Sequence, residues 1–153
     1  MVNMRPFNEF EQKNLKFLVN HNVKFTQVEV TATGLKKSIL DSTVPMRAYF
    51  LENGIHNYEE QEQGQEHKAT HRAIILTDTE KKETKVTFYR PNTKKGDPRM
   101  WIYGLGSYTD GSEIHVLFKF EDALCSVNIT KVDIEKCYNS PIITPLQEII
   151  KAI

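Results

Sequence analysis

The sequence predicts a mainly β protein: an antiparallel barrel or sandwich of six or seven short strands with a helix at each end. Two observations carry this. Apolar or alternating runs of strand length recur along the chain, punctuated by turn residues, and nowhere do they alternate with long amphipathic helices as a parallel βαβ sheet requires. With 153 residues the chain has the size of one ordinary domain, so a single domain over residues 1–153 is expected.

Asn8, followed three residues later by Glu11, has the form of a capping box. Phe7, Phe10, Leu15 and Leu18 share a face, so a helix runs from about Asn8 to Asn20. VKFTQVEVT is rich in β-branched and aromatic residues, and its apolar phase changes between Phe25 and Val28, which suits a strand with a bulge or an early end. TATGLKKSILDSTVP reads as a loop followed by a short turn, with Gly34 able to take a left-handed backbone. MRAYFL (46–51) and RAIILT (72–77) have the length of buried strands, and the polar stretch between them reads as a long exposed loop. Val86 and Phe88 alternate with Thr87 and Tyr89 in a strand that Pro91 interrupts, and MWIYGL resumes an apolar run. Asp110 and Gly111 introduce EIHVLFKF, where Ile114, Val116, Phe118 and Phe120 alternate; the tight Glu121-Asp122 connection makes an antiparallel hairpin with ALCSVNITKVDI. Thr144, Pro145 and Gln147 start a closing amphipathic helix with Leu146, Ile149, Ile150 and Ile153 on one stripe.

Twenty basic residues balance twenty acidic ones, so bulk charge gives no pointer to nucleic acid. The distribution does: residues 52–66 hold five glutamates and no lysine or arginine, whereas residues 90–99 hold four basic residues against Asp97 alone. No apolar run approaches the ~20 residues of a membrane span, and the first residues lack the apolar stretch of a signal peptide, so a cytoplasmic protein is expected. Cys125 and Cys137 are placed in or near a strand and read as reduced thiols.

The loop RPNTKKGDPR combines two prolines and a glycine with Arg90, Lys94, Lys95 and Arg99 and the hydrogen-bonding Asn92 and Thr93. Lysine and arginine neutralise phosphates, arginine binds guanine bidentately and asparagine adenine, so grip and base readout could coexist there. A solvated hairpin loop is the competing reading. Thr31, Thr33, Gly34, Lys36, Lys37 and Ser38 form a second candidate, for which a plain turn is the simpler account. Asp78, Glu83 and Lys85 loosely imitate the Mg²⁺-binding carboxylates of a compact nuclease, although a charged hairpin turn explains them more simply. His67 and His71 have the helical spacing of a zinc pair but sit in a polar loop, and Gly104 and Gly106 lack a following phosphate-binding helix. Trp101, Tyr103 and Tyr108 could stack on bases or belong to the core. The acidic stretch 52–66 offers a third class, a phage or defence module that binds a protein partner.

Four segments, VTATGLKKSIL, HRAIIL, YRPNTKKGDPRMWIYGL and GSEIHVLFKFEDALCSVNI, resemble the B3-like DNA-binding pseudobarrel in the form of the N-terminal effector domain of EcoRII-type restriction endonucleases. The match runs from about Val28 to Thr130. The third segment is the most specific, since a basic strand-loop-strand ending in Arg99 and Trp101 resembles the family's C-terminal DNA-binding arm. Residues 31–38 resemble its N-terminal arm in a shorter form with fewer glycines and asparagines. The resemblance implies an open antiparallel pseudobarrel of about seven strands with short flanking helices, whose two arms enter the major groove of double-stranded DNA and read a short asymmetric half-site, by analogy of the CC-W-GG kind. It implies a specificity or effector domain with no catalytic residue or cofactor of its own, attached to a separate Mg²⁺-dependent cleavage domain in a prokaryotic or phage-encoded protein. Lys94 and Lys95 would mainly hold phosphate; Arg90, Asn92, Asp97 and Arg99 would read bases. Asp97 would accept from a cytosine amino group, or salt-bridge Arg99.

Overall fold

The backbone N–H of Glu11 donates to Asn8 Oδ1 at 2.8 Å and that of Asn8 donates to Glu11 Oε1 at 2.9 Å, so the expected capping box opens helix α1 (Glu9–Asn20). The computed structural model describes residues 4–153, apart from the side chain of Lys94. Strand β1 (Thr26–Val30) follows, burying Thr26, Val28 and Val30.

Residues 31–52 depart from expectation. Instead of a loop, a turn and a buried strand, they form helix α2 (Ala32–Lys37), the two-residue strand β2 (Leu40–Asp41) and helix α3 (Val44–Glu52). Threonine caps decide this. Thr31 Oγ1 accepts from the Gly34 N–H at 3.0 Å, Thr43 Oγ1 accepts from the Met46 N–H at 3.4 Å, and Pro45 stands in the first turn of α3. MRAYFL is therefore helical, and it buries Met46, Tyr49 and Phe50. The stretch expected as a long exposed loop is partly anchored: Ile55 and Tyr58 are buried, and single 3₁₀ turns stand at Tyr58–Glu60 and Gln65–His67.

The expected strands then appear as β3 (Ala69–Leu76), β4 (Lys81–Tyr89), β5 (Arg99–Ile102), β6 (Glu113–Phe120) and β7 (Ala123–Asn128). The last ends before the TKVDI segment, where Asp133 caps a short helix α4 (Ile134–Tyr138) that carries Cys137. Helix α5 (Pro145–Ala152) starts at Thr144 as expected, but the Gln147 side chain donates to the Tyr138 and Ser140 carbonyls and ties α5 to α4.

The seven strands form one sheet in the order β1-β6-β7-β3-β4-β5-β2. It is mixed, where an all-antiparallel sheet was expected: β3 runs parallel to β7, from Ala73 opposite Leu124 to Leu76 opposite Val127, and joins the β3–β4 and β6–β7 hairpins. Both edge strands bury residues in one inner cluster, which takes Val28 and Val30 from β1 and Leu40 from β2 together with Phe50, Ile75, Phe88, Met100 and Leu117, so the sheet curls nearly shut into a barrel. On the other face Ile74, Ile114, Phe118 and Cys125 pack against Leu18, Ile134 and Leu146 of α1, α4 and α5. No described helix is long and apolar enough to cross a membrane.

Candidate nucleic-acid interface

The loop between β4 and β5 is a braced structure. Arg90 Nε donates to the Gly96 carbonyl at 2.9 Å across the loop, and its Nη1 donates to the carbonyls of Gln61 at 3.1 Å and Tyr58 at 3.4 Å. The Gly64 N–H donates to the Arg90 carbonyl at 2.8 Å, and the Ser42 N–H to that of Pro98 at 3.0 Å. Prolines 91 and 98 restrict the backbone at both ends. The result exposes Asn92, Thr93, Lys95 and Asp97. Lys95 takes a left-handed backbone, φ 58°, an arrangement that costs a lysine about 1 kcal/mol or more and that the bracing sustains. The Lys94 side chain lies outside the described residues. Arg90, expected as a base reader, is thus a strut whose Nε and Nη1 serve the loop itself.

In the second segment Thr31, Thr33, Lys36, Lys37 and Ser38 are exposed. Gly34 is neither left-handed nor open to a phosphate; it is buried inside α2, and the left-handed residue that ends this helix is Ser38, with φ 56°. Sequence could not say whether the two segments are neighbours. Because β2 runs antiparallel to β5, with Leu40 opposite Met100 and Asp41 opposite Arg99, residues 31–38 and 90–98 stand at opposite ends of this short ladder. Their flanks meet in a cleft of about 400 Å³ between β1, α2 and β2, whose walls include Thr31, Thr33, Gly34 and Lys37 from one segment and Arg99 from the other. Arg99 is mostly buried; its Nε has no hydrogen-bond partner and lies 4.0 Å from Asp41, so the ion-pair partner is Asp41 and not Asp97. Trp101 on β5 is half-buried and packs against the inner cluster, with the exposed Tyr103 beyond it.

The residues of the other readings are engaged elsewhere. Glu83 receives Arg72 Nη2 at 2.7 Å and Nε at 3.1 Å, which holds its carboxyl below the usual range, while Asp78 is exposed in the hairpin turn and Lys85 Nζ sits 5.5 Å from the Tyr103 ring centre. His67 pairs with Glu62 at 3.0 Å, and His71 belongs to β3. Among the described residues no group of three or more His, Cys, Asp or Glu is arranged to hold a metal ion. Both cysteines are free and buried, and burial pushes the Cys125 thiol up to about 12.

Sequence reasoning missed the residues that frame the loop. Tyr58 Oη donates to the Arg99 carbonyl at 2.8 Å and lies 2.6 Å from Ser42 Oγ, and Gln61 Nε2 donates to the carbonyls of His67 and Phe88, each at 2.9 Å. They act on backbone atoms of distant segments, a role that leaves no local pattern. No protein-family model matches this chain, and neither a curated protein nor a solved structure matches it.

Proposed function

We propose that this chain binds double-stranded DNA sequence-specifically and serves as the specificity or effector domain of a restriction endonuclease, with cleavage left to a separate Mg²⁺-dependent domain. The observation that carries the reading is the braced loop, a rigid projection that turns Asn92, Thr93, Lys95 and Asp97 to solvent from the end of a barrel-like sheet. Rigidity matters because a loop already held in shape loses little conformational entropy on binding. In this reading Lys94, Lys95, Lys36 and Lys37 hold phosphates, Asn92, Asp97 and Arg99 face base edges, and Arg90 keeps the arm in shape. The hydroxyls of Thr31, Thr33, Thr93 and Ser38 add phosphate contacts.

Selection of random duplexes against the purified chain, with and without Mg²⁺, tests this. An enriched motif is expected. On that motif Lys95→Ala should weaken specific and nonspecific binding alike and flatten the plot of log affinity against log salt by about 0.9. Asn92→Ala should lose roughly 10- to 100-fold on the motif and little on other DNA. No enrichment, or a Lys95→Ala affinity and salt slope equal to the parent's, would sink the proposal. Mg²⁺-dependent cleavage abolished by Glu83→Ala would establish the nuclease reading in its place, and absence of any DNA affinity would favour the protein-partner reading.

A further inference from the structure

We propose that the outward face of β3, β4 and β5 is a stacking platform for single-stranded DNA, distinct from the duplex-binding loop. Helices α1, α4 and α5 cover the sheet where Ile74, Ile114, Phe118 and Cys125 point, leaving the outward side of β4 and β5 outside that packing. Val86, Phe88, Met100 and Ile102 point inward, so strand alternation puts Lys85, Thr87 and Tyr89 on β4, and Arg99 and Trp101 with the following Tyr103, on the other side, where Trp101 is half-buried and also packs against the inner cluster.

The register arranges these residues in rows. Tyr89 stands opposite Arg99, Thr87 opposite Trp101, and the Tyr103 N–H donates to the Lys85 carbonyl at 2.9 Å. Three aromatic rings therefore occupy successive rows of two strands about 4.8 Å apart, with outward residues spaced roughly 7 Å along each strand. Tyr103 is 68% exposed. Cations flank the row of rings: Lys68 Nζ lies 5.0 Å from the Tyr89 ring centre and Lys85 Nζ 5.5 Å from that of Tyr103. Of the nearby acids, Glu83 is tied to Arg72, and Asp41 lies at the edge beside Arg99.

A row of aromatic rings with an ammonium group at either end of an open sheet matches an unpaired nucleic-acid strand. Every base offers a π-face, and the lysines beside the rings meet the connecting phosphates. A duplex hides those faces inside its stack, so it cannot use this surface in the same way. A protein partner would want a desolvated apolar centre, whereas here a cation flanks the rings at both ends of the face. The choice of DNA over RNA rests on the duplex-DNA reading above; the stacking surface itself does not depend on that reading.

Trp101 is the chain's single tryptophan, so in the folded protein its emission comes from the middle row of this face. Titration of the full chain with oligo(dT) at low salt should quench Trp101 saturably, and labelled oligo(dT) should show a matching rise in anisotropy. Tyr103→Ala should weaken the complex about tenfold and Tyr103→Phe by no more than about twofold. Tyr103→Ala should leave affinity for the selected duplex unchanged, and Lys95→Ala should leave oligo(dT) affinity unchanged, so the two readings fail separately. Absence of quenching, or a Tyr103→Ala affinity equal to the parent's, overturns the platform. Displacement of oligo(dT) by lower concentrations of oligo(rU) overturns the choice of DNA.

Discussion

His115 lies buried on β6, with Nδ1 3.2 Å from Ser126 Oγ and Nε2 without a hydrogen-bond partner. Burial, opposed in part by the nearby Glu113 carboxylate, holds it down to about 4 against 6.5 for an exposed imidazole. The unfolded chain takes up the proton first, so stability falls as pH drops from about 6.5 towards 4. Between pH 7 and 5 this loss should be roughly 2 kcal/mol, read by urea unfolding at the two pH values. His115→Gln should flatten the profile over that window; an unchanged slope would assign the effect to another group. At lower pH Glu11 takes over. Its fully buried carboxylate accepts from Arg5 Nη1 at 2.8 Å and from Thr130 Oγ1 at 2.5 Å, contacts that hold it at about 2, so its contribution is present above about 4.5 and is lost as pH falls through 2. Glu11 was legible in the sequence as a capping residue. His115 was not, because the alternation of Ile114, Val116 and Phe118 implied one buried face, and here the sheet buries both.

At the scale of an element, α2 turns on Gly34. A Cβ there would lie 2.6 Å from the Ile39 carbonyl oxygen, 2.9 Å from Thr31 Oγ1 and 3.3 Å from Leu40 Cδ2, because the chain folds back over the helix as it enters β2. Helix propensity alone would have Gly34→Ala stabilise the segment by about 1 kcal/mol. The backbone contact wins, and the substitution should destabilise the protein by about 1–3 kcal/mol in chemical denaturation. A variant as stable as the parent would show that the return of the chain is loose. Signals for α2 and α3 were in the sequence, in Thr31 and in Thr43 ahead of Pro45. They were outweighed by an apolar run of six residues, a length that fits a buried strand and two turns of buried helix equally well. The loop 90–98 was legible because proline, glycine and charge mark it locally; its struts, Tyr58 and Gln61, were not.

At the scale of the molecule, β3, β6 and β7 feed both hydrophobic clusters, Ile75, Leu117 and Leu124 inward and Ile74, Phe118 and Cys125 outward, so neither cluster can loosen alone. Phe88→Ala in the inner cluster and Phe118→Ala in the outer one should each remove about 3–5 kcal/mol and leave a single transition, with far-UV dichroism and Trp101 emission coinciding. Transitions that separate in either variant would mean that the two sides unfold independently. The hairpins β3–β4 and β6–β7 were visible in the sequence, each with its turn residues. Their union was not, since no local pattern announces a parallel pairing between Ala73 and Leu124, or an edge strand β1 that finds β6. That union also sets an order of events during folding. Each hairpin can close over a few residues, whereas the β3–β7 seam brings together segments about fifty residues apart and the β1–β6 ladder segments about ninety apart. Closing such loops loses chain entropy before any of their contacts form, so the barrel is a structure whose pieces are quick and whose assembly is slow.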